Sequence, residues 1–311
     1  MLELVNISKQ YSSGFFRKKA ILAVDSVSLS ISPGETVGVV GESGSGKTTL
    51  GLIATHLVQQ TSGKLFFNGT PVNSNLSDVL NLRKHIQIVF QNNESALNPR
   101  MTLEQLVVEP LVVHHLDSSN KAVSILLKRV GLGQDLLHRY PHELSGGQRQ
   151  RICIARAISL HPQYIIADEP AASLDYSVQA QILELLKELQ KEEGIGYLFI
   201  SHHLKVIKIM ADVVAVMYKG RIVEQSDTIR FFESPLHPYS QALLLSMPGY
   251  HRRNSQDTLK IRDNLHIQNS SGCPYYLRCR IKEEICSQLK PELQDRGDGH
   301  YVACHILKKS G

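Results

Sequence analysis

Apolar and polar residues alternate along much of residues 1–35, and this period of two predicts half-buried strands on either side of the basic loop Gly14–Lys19. After the turn Ser32-Pro33-Gly34, the short run Thr36–Val40 is rich in β-branched residues, which is typical of a parallel strand buried on both faces. The chain therefore begins with an antiparallel β region and then enters a buried parallel sheet.

Strands and helices alternate in the rest of the core. The further predicted strands are Leu65–Asn68, Ile86–Phe90, Tyr164–Ala167 and Tyr197–Ile200, with a hairpin made of Val213–Met217 and Ile222–Glu224. Apolar residues recur at helical spacing in two segments, Thr48–Leu57 and Val178–Leu189. This alternation indicates an α/β fold with a parallel sheet.

Residues 92–160 interrupt the alternation with helical periodicity, and we interpret them as a helical lobe inserted between two strands. From residue 234 the composition changes to prolines, polar runs and cysteines. We therefore predict an α/β domain over residues 1–233, with its helical subdomain at about 92–160, and an appended C-terminal extension over residues 234–311.

The composition of the chain says more about where the protein is found and what it binds than about any reaction it catalyses. The 311 residues are 42% hydrophobic and 20% charged, and a formal net charge of +5 is too small to indicate a nucleic-acid or lipid partner. No apolar run approaches the ~18 residues of a membrane span, and residues 1–5 do not resemble a signal peptide. We therefore expect the chain to stay in the cytosol, and any association with a membrane to come through a partner.

The segment Gly41–Thr48 fits the phosphate-binding loop G-x-x-x-x-G-K-[ST]. Its backbone N–H groups and the following helix N-terminus favour phosphate. We expect Lys47 to contact the β- and γ-phosphates of ATP and the Thr48 hydroxyl to ligate Mg²⁺. The predicted nucleotide contacts of this region are Gly41, Glu42, Ser43, Gly44, Ser45, Gly46, Lys47, Thr48 and Thr49.

The predicted strand at Tyr164 leads into two carboxylates, Asp168 and Glu169. Asp168 at the strand tip suits the Mg²⁺ shell, and Glu169 would polarise the attacking water. A solvated strand end also carries such pairs, but a phosphate loop in the same chain favours the catalytic interpretation.

A further glycine-rich element lies at Leu144–Arg151, here called the signature segment. Backbone amides and a serine hydroxyl at a helix start would bind a γ-phosphate, although Ser145 is also a good N-cap and both roles are compatible. The predicted nucleotide contacts are Ser145, Gly146, Gly147 and Gln148. One chain rarely needs two such elements for one nucleotide, so we expect this segment to serve ATP held by another chain.

In order and spacing these segments resemble the ATPase subunits of ABC transporters. The resemblance implies a P-loop NTPase fold with a RecA-like core, an antiparallel β subdomain and an inserted helical subdomain. It implies that Gln91 is the Q-loop residue that senses Mg²⁺ and contacts the membrane subunit. It also implies that Ser173–Asp175 is the D-loop, with Asp175 near the nucleotide, and that His202 is the switch histidine that reaches the γ-phosphate.

Tyr11 lies where this family has an aromatic residue that stacks on adenine, although a packed strand aromatic is an open alternative. One departure from the family is His203, which follows the switch histidine where aspartate is usual. We expect His203 to change the rate or the pH dependence of hydrolysis rather than to abolish it.

Four further segments resemble the oligopeptide and dipeptide importer branch, namely Ser95–Thr102, Tyr140–Glu143, Ser177–Gln181 and Pro235–Tyr239. The loop Phe16–Lys19 resembles the second of the two ATPase subunits of that branch. Nickel and metallophore importers share much of this pattern, so the solute stays open.

Four of the five cysteines follow residue 270, at Cys273, Cys279, Cys286 and Cys304. Their spacing is not that of common zinc sites or of ferredoxins, and spacing alone leaves four unconnected thiols as an alternative. The tail resembles that of peptide-importer ATPases, some of which hold a [4Fe-4S] cluster on these cysteines. We therefore expect such a cluster, with zinc as the second candidate. Cys153 is expected to be a core thiol.

The resemblance implies an ATP-hydrolysing subunit that powers peptide import with ATP and Mg²⁺. The implied partners are a second, related ATPase subunit in a heterodimer, two membrane-spanning permease subunits and, through them, an extracytoplasmic solute-binding protein. A non-transport ABC ATPase acting on DNA or ribosomes is the remote alternative, since the chain has one ATPase core and no long coiled coil. A non-hydrolysing regulatory subunit is disfavoured by Glu169 and His202.

Overall fold

The computed structural model describes residues 1–13, 19–91, 96–247, 249 and 271–307. Residues 14–18 of the basic loop and the first residue of the segment Ser95–Thr102 lie outside the described residues. The strands are β1 (Leu2–Ser13), β2 (Lys19–Ile31), β3 (Thr36–Val40), β4 (Ser62–Phe67), β5 (Thr70–Pro71), β6 (Ile86–Val89), β7 (Tyr164–Asp168), β8 (Gly196–Ile200), β9 (Val213–Tyr218), β10 (Arg221–Asp227), β11 (Gln294–Asp295) and β12 (Tyr301–Val302).

Helices cover both faces of the larger sheet and form the lobe that interrupts it. They are α1 (Lys47–Ala54), α2 (Leu76–His85), α3 (Leu103–Val113), α4 (Asn120–Arg129), α5 (Gly146–Ile158), α6 (Tyr176–Glu193), α7 (Leu204–Met210), α8 (Thr228–Glu233), α9 (Pro238–Leu245) and α10 (Ile285–Gln288). None of the helices in the described part of the chain is long and apolar enough to cross a bilayer.

The strands form two sheets. Four of them make an antiparallel sheet in the order β2-β1-β4-β5, and eight make a second sheet in the order β11-β12-β10-β9-β3-β8-β7-β6. In the second sheet β9, β3, β8, β7 and β6 are parallel neighbours, while β10, β12 and β11 continue it antiparallel. The predicted parallel core and the antiparallel N-terminal region are both confirmed.

The parallel strands divide their side chains between two apolar cores. In β7, Tyr164 and Ile166 pack on the face that carries α1 and the antiparallel sheet. Ile165 and Ala167 pack on the opposite face, with α5 and α6. Every residue of this strand is buried, as expected of a parallel strand covered on both sides.

The helical lobe is built from α3, α4 and the N-terminal part of α5. Thr102 caps α3 in a reciprocal arrangement with Gln105, and Ser119 caps α4. Arg156 of α5 donates a hydrogen bond to Glu109 of α3 at 2.5 Å, which ties the lobe to the core. The lobe therefore lies between β6 and β7 in sequence, as its periodicity predicts.

Local chemistry moved some element boundaries. Helix α1 ends at Ala54 rather than at the predicted Leu57, because His56 takes a positive φ of 53°, which a right-handed helix cannot contain. The sequence analysis missed α2, α7, α8, α9 and α10 and the two-residue strands β5, β11 and β12. All of these elements are short, and in α2 the one buried residue is Leu82.

The C-terminal extension completes the large sheet. Strand β12 pairs with β10, and the Ala303 N–H donates to the carbonyl of Val223 at 2.9 Å. The fully buried Glu224 of β10 accepts hydrogen bonds from the N–H groups of Leu236 and His237 and contacts His300 at 2.7 Å. The division into 1–233 and 234–311 stays a prediction, but the extension shares its sheet and its buried polar contacts with the preceding domain.

Candidate nucleotide site

Four adjacent parallel strands end at the same edge of the sheet, and each is followed by a predicted site residue. Because ligands of open α/β sheets bind outside the carboxyl ends of the strands, this edge is the expected position of a site. It holds a cavity of about 700 Å³. The cavity is lined by Ala23, Gly41, Glu42, Ser43, Gly44, Gly46, Lys47, Thr48, Thr49, Gln91, Glu169, His202 and Leu243.

The phosphate loop connects β3 to α1, and its conformation requires glycine at two positions. Gly46 has φ 105°, and a Cβ there would lie 2.2 Å from the carbonyl oxygen of Ala23. A Cβ on Gly41 would lie 2.1 Å from the carbonyl oxygen of Met217. The loop therefore follows this tight path only because neither residue carries a side chain.

Lys47 is the buried cation of the loop. Its Nζ donates to the carbonyl oxygens of Gly41 at 2.8 Å and Glu42 at 2.9 Å. Burial lowers the pKa of Lys47, while the carboxylates of Glu169, Asp168 and Glu42 oppose that shift. A phosphate ligand would therefore find the ammonium already ordered over the cavity.

Asp168 at the end of β7 accepts a hydrogen bond from the Thr48 hydroxyl, although burial raises its pKa overall. Its Oδ1 atom is buried and has no hydrogen-bond partner among the described residues. An orphaned carboxylate oxygen next to a hydroxyl is the oxygen-rich donor set that Mg²⁺ prefers. The residues present thus fit the predicted metal.

Glu169 connects three of the parallel strands at the cavity wall. Its Oε2 accepts from Gln91 Nε2 at 3.2 Å, and its Oε1 lies 2.7 Å from His202 Nδ1. Its backbone takes a positive φ of 48°, while its N–H donates to the Ile200 carbonyl at 2.9 Å. A strained backbone fixed by neighbouring strands is typical of functional positions.

His203 extends this cluster on the far side of His202. The two imidazole rings lie 3.9 Å apart at an interplanar angle of 42°. Burial and the neighbouring His202 lower the pKa of His203, and Glu169 opposes the shift. His203 therefore favours its neutral form more than an exposed histidine does.

The signature segment lies elsewhere, since its residues are absent from the described lining of the cavity. Ser145 is exposed and caps α5, where it exchanges hydrogen bonds with Gln148. Gly147 packs so closely on Val178 of α6 that a Cβ would lie 2.6 Å from its Cγ1. Asp175 caps α6 by accepting the Val178 N–H at 3.0 Å. The two predicted phosphate-binding elements are thus not brought together within one chain.

Tyr11 does not line the cavity either. It lies on β1 with 38% of its surface exposed, and the Lys9 ammonium lies 5.1 Å from its ring centroid. Its predicted contact with adenine stays a prediction.

Sequence reasoning missed the residues that hold the phosphate loop from the C-terminal extension. Tyr239 and Arg278 both contact Glu42, and Leu243 lines the cavity. These residues lie about 200 positions from the loop in the chain, and no local pattern indicates the pairing.

All five cysteines are free thiols. Burial raises the pKa of Cys153 to about 12, in agreement with its predicted place in the core. Burial also raises the pKa of Cys273 to about 11, and Cys273 interacts electrostatically with Cys286, Cys279 and Cys304. Within the described ranges, however, no three His, Cys, Asp or Glu side chains are arranged to hold a metal ion. In the described ranges these thiols are therefore neighbours that do not form a chelating group.

Comparison with known families matches residues 24–172 to the ABC transporter family and residues 223–286 to the oligopeptide/dipeptide transporter C-terminal region. Two solved structures share the fold. CbiO1 from Clostridium perfringens, part of a cbiONQ ABC transporter complex, has a TM-score of 0.66 at 30% identity over 75% of this chain and 90% of its own. The dimeric bacterial cassette MJ0796 has a TM-score of 0.66 at 29% identity over 73% and 99%.

Curated relatives cover nearly the whole chain. The oligopeptide transport ATP-binding protein AppF of Bacillus subtilis (strain 168) is 43% identical over 98% of this chain and 97% of its own length. The dipeptide transport ATP-binding protein DppF of Escherichia coli (strain K12) is 42% identical over 99% and 94%. With both family matches and the cassette fold, this establishes that the chain belongs to the family of oligopeptide and dipeptide transport ATP-binding proteins, the ATPases of ABC transporters.

Proposed function

We propose that this chain binds and hydrolyses ATP to power the import of peptides through a membrane permease. The observation that carries the proposal is the convergence of Lys47, Gln91, Glu169 and His202 on one cavity at the strand edge. The relatives at 43% and 42% identity are oligopeptide and dipeptide transport proteins, which supports a peptide as the solute.

In the proposed reaction, the oxygen of a water molecule bonds to the γ-phosphorus while the bond from that phosphorus to the β–γ bridging oxygen breaks. ADP and inorganic phosphate are the products. Glu169 orients the water and accepts its proton, and Gln91 and His202 hold the Glu169 carboxylate in place. Lys47 exchanges its carbonyl partners for phosphate oxygens. When bound through Thr48 and Asp168, Mg²⁺ supplies positive charge against the phosphates.

The signature segment completes the site of a second cassette in this proposal. Ser145 is exposed at the start of α5, where backbone amides and a helix N-terminus suit an anion held by another chain. The structural neighbour MJ0796 is a dimeric cassette, which supports pairing of two chains. We propose that the partner here is a related ATPase subunit, that ATP between the two chains closes the pair, and that hydrolysis reopens it.

A second cleft offers a contact for the permease. It has a volume of about 400 Å³ and lies between the end of β6 and helices α3 and α5 of the lobe. Apolar residues including Phe90 and Val113 line it, beside the Arg156–Glu109 pair. Gln91 follows Phe90 directly. We propose that a permease segment in this cleft senses the position of Gln91, which places the chain at the cytoplasmic face of the membrane, below a solute-binding protein on the other side.

We make a second, separate proposal for the cysteine-bearing extension. We propose that its four cysteines hold a [4Fe-4S] cluster, with a zinc ion as the alternative. The support for this proposal is the electrostatic proximity of Cys273 to the three other thiols, although the side chains in the described ranges do not form a chelating group. Iron, sulfide and zinc analysis of the anaerobically purified chain tests it. A preparation that contains none of them overturns it.

Glu169→Gln tests the hydrolytic role. We expect the variant in the assembled transporter to bind ATP with little change and to lose hydrolysis and peptide uptake by about a hundredfold or more. Glu188→Gln makes the same change on the exposed face of α6 and should behave as wild type. Uptake at the wild-type rate by Glu169→Gln would contradict the proposal, and nickel uptake without peptide uptake would reassign the solute.

A further inference from the structure

A segment of the C-terminal extension reaches into the wall of the nucleotide cavity. Arg278 donates a hydrogen bond from Nη1 to Oε2 of Glu42 at 3.0 Å, and its Nη2 lies 2.9 Å from Oε1. The two contacts form a bidentate ion pair, the strongest geometry available to arginine and a carboxylate. Glu42 is the second residue of the phosphate loop and lines the cavity.

Tyr239 holds the same loop residue through its backbone. The Glu42 N–H donates to the Tyr239 hydroxyl at 2.9 Å. Tyr239 is buried, and its ring lies 4.6 Å from that of Tyr218 and 5.5 Å from that of Tyr275. Both the main chain and the side chain of Glu42 are therefore fixed by the extension.

The position of Arg278 is itself set by the cysteine-bearing segment. Arg278 ends a 3-10 turn at Tyr276–Arg278, and its guanidinium carbon lies 5.7 Å from the ring centroid of Tyr275 and 5.8 Å from that of Tyr218. The N–H groups of Arg278 and Cys279 both donate to the Tyr275 carbonyl at 3.0 Å. The guanidinium thus reaches Glu42 from an ordered platform of aromatic rings.

Electrostatics give this contact a consequence for nucleotide binding. The carboxylate of Glu42 lies in the loop that would surround a highly charged triphosphate, and like charges at such a distance repel. Glu42 also acts on the Lys47 ammonium, since its carboxylate is one of those that oppose the lowering of the Lys47 pKa by burial. The bidentate guanidinium places a positive charge beside the Glu42 carboxylate and so offsets its repulsion of the phosphates.

We infer that Arg278 is a positioning residue of the ATP site, which neutralises Glu42 and, with Tyr239, holds the phosphate loop in the conformation that accepts the triphosphate. This inference rests on the proposed function of the same cavity. It gives the extension a direct role in ATP affinity, distinct from any ligand of the cysteines.

A double-mutant cycle tests the inference. We expect Arg278→Ala to raise both the Kd and the KM for ATP about three- to tenfold, as for a partly exposed charge pair, and to leave kcat within about twofold. Because the harm comes from the uncompensated carboxylate, Glu42→Gln should restore the affinity of Arg278→Ala to within about twofold of wild type. Arg278→Lys keeps the positive charge but loses the bidentate geometry, so its ATP affinity should lie between that of the wild type and that of Arg278→Ala.

The matched control is Asp298→Asn, which removes another ion pair between the core and the extension, that with Arg230. Neither member of that pair is a partner of Glu42, whose contacts from the extension are Tyr239 and Arg278. Asp298→Asn should leave ATP affinity unchanged. Affinity is measured with the full-length chain in a Glu169→Gln background, so that a failed hydrolytic role does not affect the result. An unchanged Kd in Arg278→Ala, or an equal loss in the double variant, overturns the inference.

Discussion

The phosphate loop Gly41–Thr48 and the signature segment Leu144–Arg151 are both glycine-rich turns at the start of a helix, yet they differ in how the helix N-terminus is satisfied. Gly46 precedes α1 and provides no side-chain cap. Ser145 precedes α5 and forms a complete capping box with Gln148. An uncapped N-terminus leaves N–H donors that require an external acceptor.

The surroundings of the two segments also differ, since the phosphate loop faces functional residues of its own chain and the signature segment does not. The phosphate loop faces a cavity shared with Gln91, Glu169 and His202 of its own chain. The signature segment is exposed at Ser145 and packs Gly147 on Val178 of α6. The phosphate loop therefore belongs to a nearly complete site within one chain. The signature segment is a surface that contributes to hydrolysis only when a second chain binds to it.

The largest effect should come from blocking that surface. We expect Ser145→Arg to lower steady-state hydrolysis at the partner's phosphate loop by about a hundredfold or more, because a bulky cation replaces a phosphate-binding hydroxyl. ATP binding at Lys47 should change little. Hydrolysis and ATP binding of the assembled pair are the measurements.

The control for this prediction is Ser119→Arg, which removes an equivalent exposed N-cap from α4. Loss of a cap costs about 1 kcal/mol at either position, so only Ser145→Arg should affect hydrolysis. Equal hydrolysis by the two variants would show that the signature segment does not serve a nucleotide.

A second prediction concerns His237 of the extension, which lies at the start of the helix whose Tyr239 contacts the phosphate loop rather than the signature segment. His237 caps α9, the helix that carries Tyr239, by accepting the Tyr239 N–H on Nδ1 at 3.0 Å. Burial lowers the pKa of His237 to about 4. Between pH 6.5 and 4 the unfolded chain binds more protons at this residue than the folded chain, so the free energy of unfolding falls as pH falls.

We expect that loss to reach about 2 kcal/mol between pH 7 and pH 5, measured by urea titration. His237→Asn keeps a capping acceptor but does not titrate, so its stability should depend less on pH by that amount. His138→Asn alters an exposed histidine and should keep the wild-type dependence. A wild-type pH dependence in His237→Asn would contradict the prediction.

The smallest expected effects are the losses of stability caused by alanine at one glycine of each segment. The cause should be side-chain packing in the signature segment and backbone conformation in the phosphate loop. Gly147→Ala should lower the free energy of unfolding by about 1 kcal/mol because its Cβ overlaps Val178. Gly44→Ala should cost a similar amount for another reason, its φ of 77°, since a Cβ there meets no described atom within 4 Å.

Val178→Ala distinguishes the two causes. It should recover most of the loss in Gly147→Ala, because it makes room for the new methyl group, and none of the loss in Gly44→Ala. Thermal unfolding of the single variants and the two doubles provides the comparison. Recovery of both glycine variants, or of neither, would refute the packing explanation.

Local sequence patterns predicted the strands of the core and the site residues that closely follow them. The strand Thr36–Val40 has its predicted bounds, and β7 begins at the predicted Tyr164 and ends at Asp168, one residue beyond the predicted Ala167. Helix α1 ended early because His56 takes a positive φ, which periodicity does not encode. Helix α2 was missed because it buries little apolar surface.

By itself, the sequence determined the nucleotide chemistry and the strands that deliver it, because a phosphate loop and a buried strand depend on neighbouring residues in the chain. Only the tertiary structure decided which segments meet. It brought Gln91, Glu169 and His202 together by the order of parallel strands, separated the signature segment from its own phosphate loop, and joined Arg278 to Glu42 across 236 residues. Such contacts follow from sheet order and from burial of the extension against β10, which depend on the whole core at once.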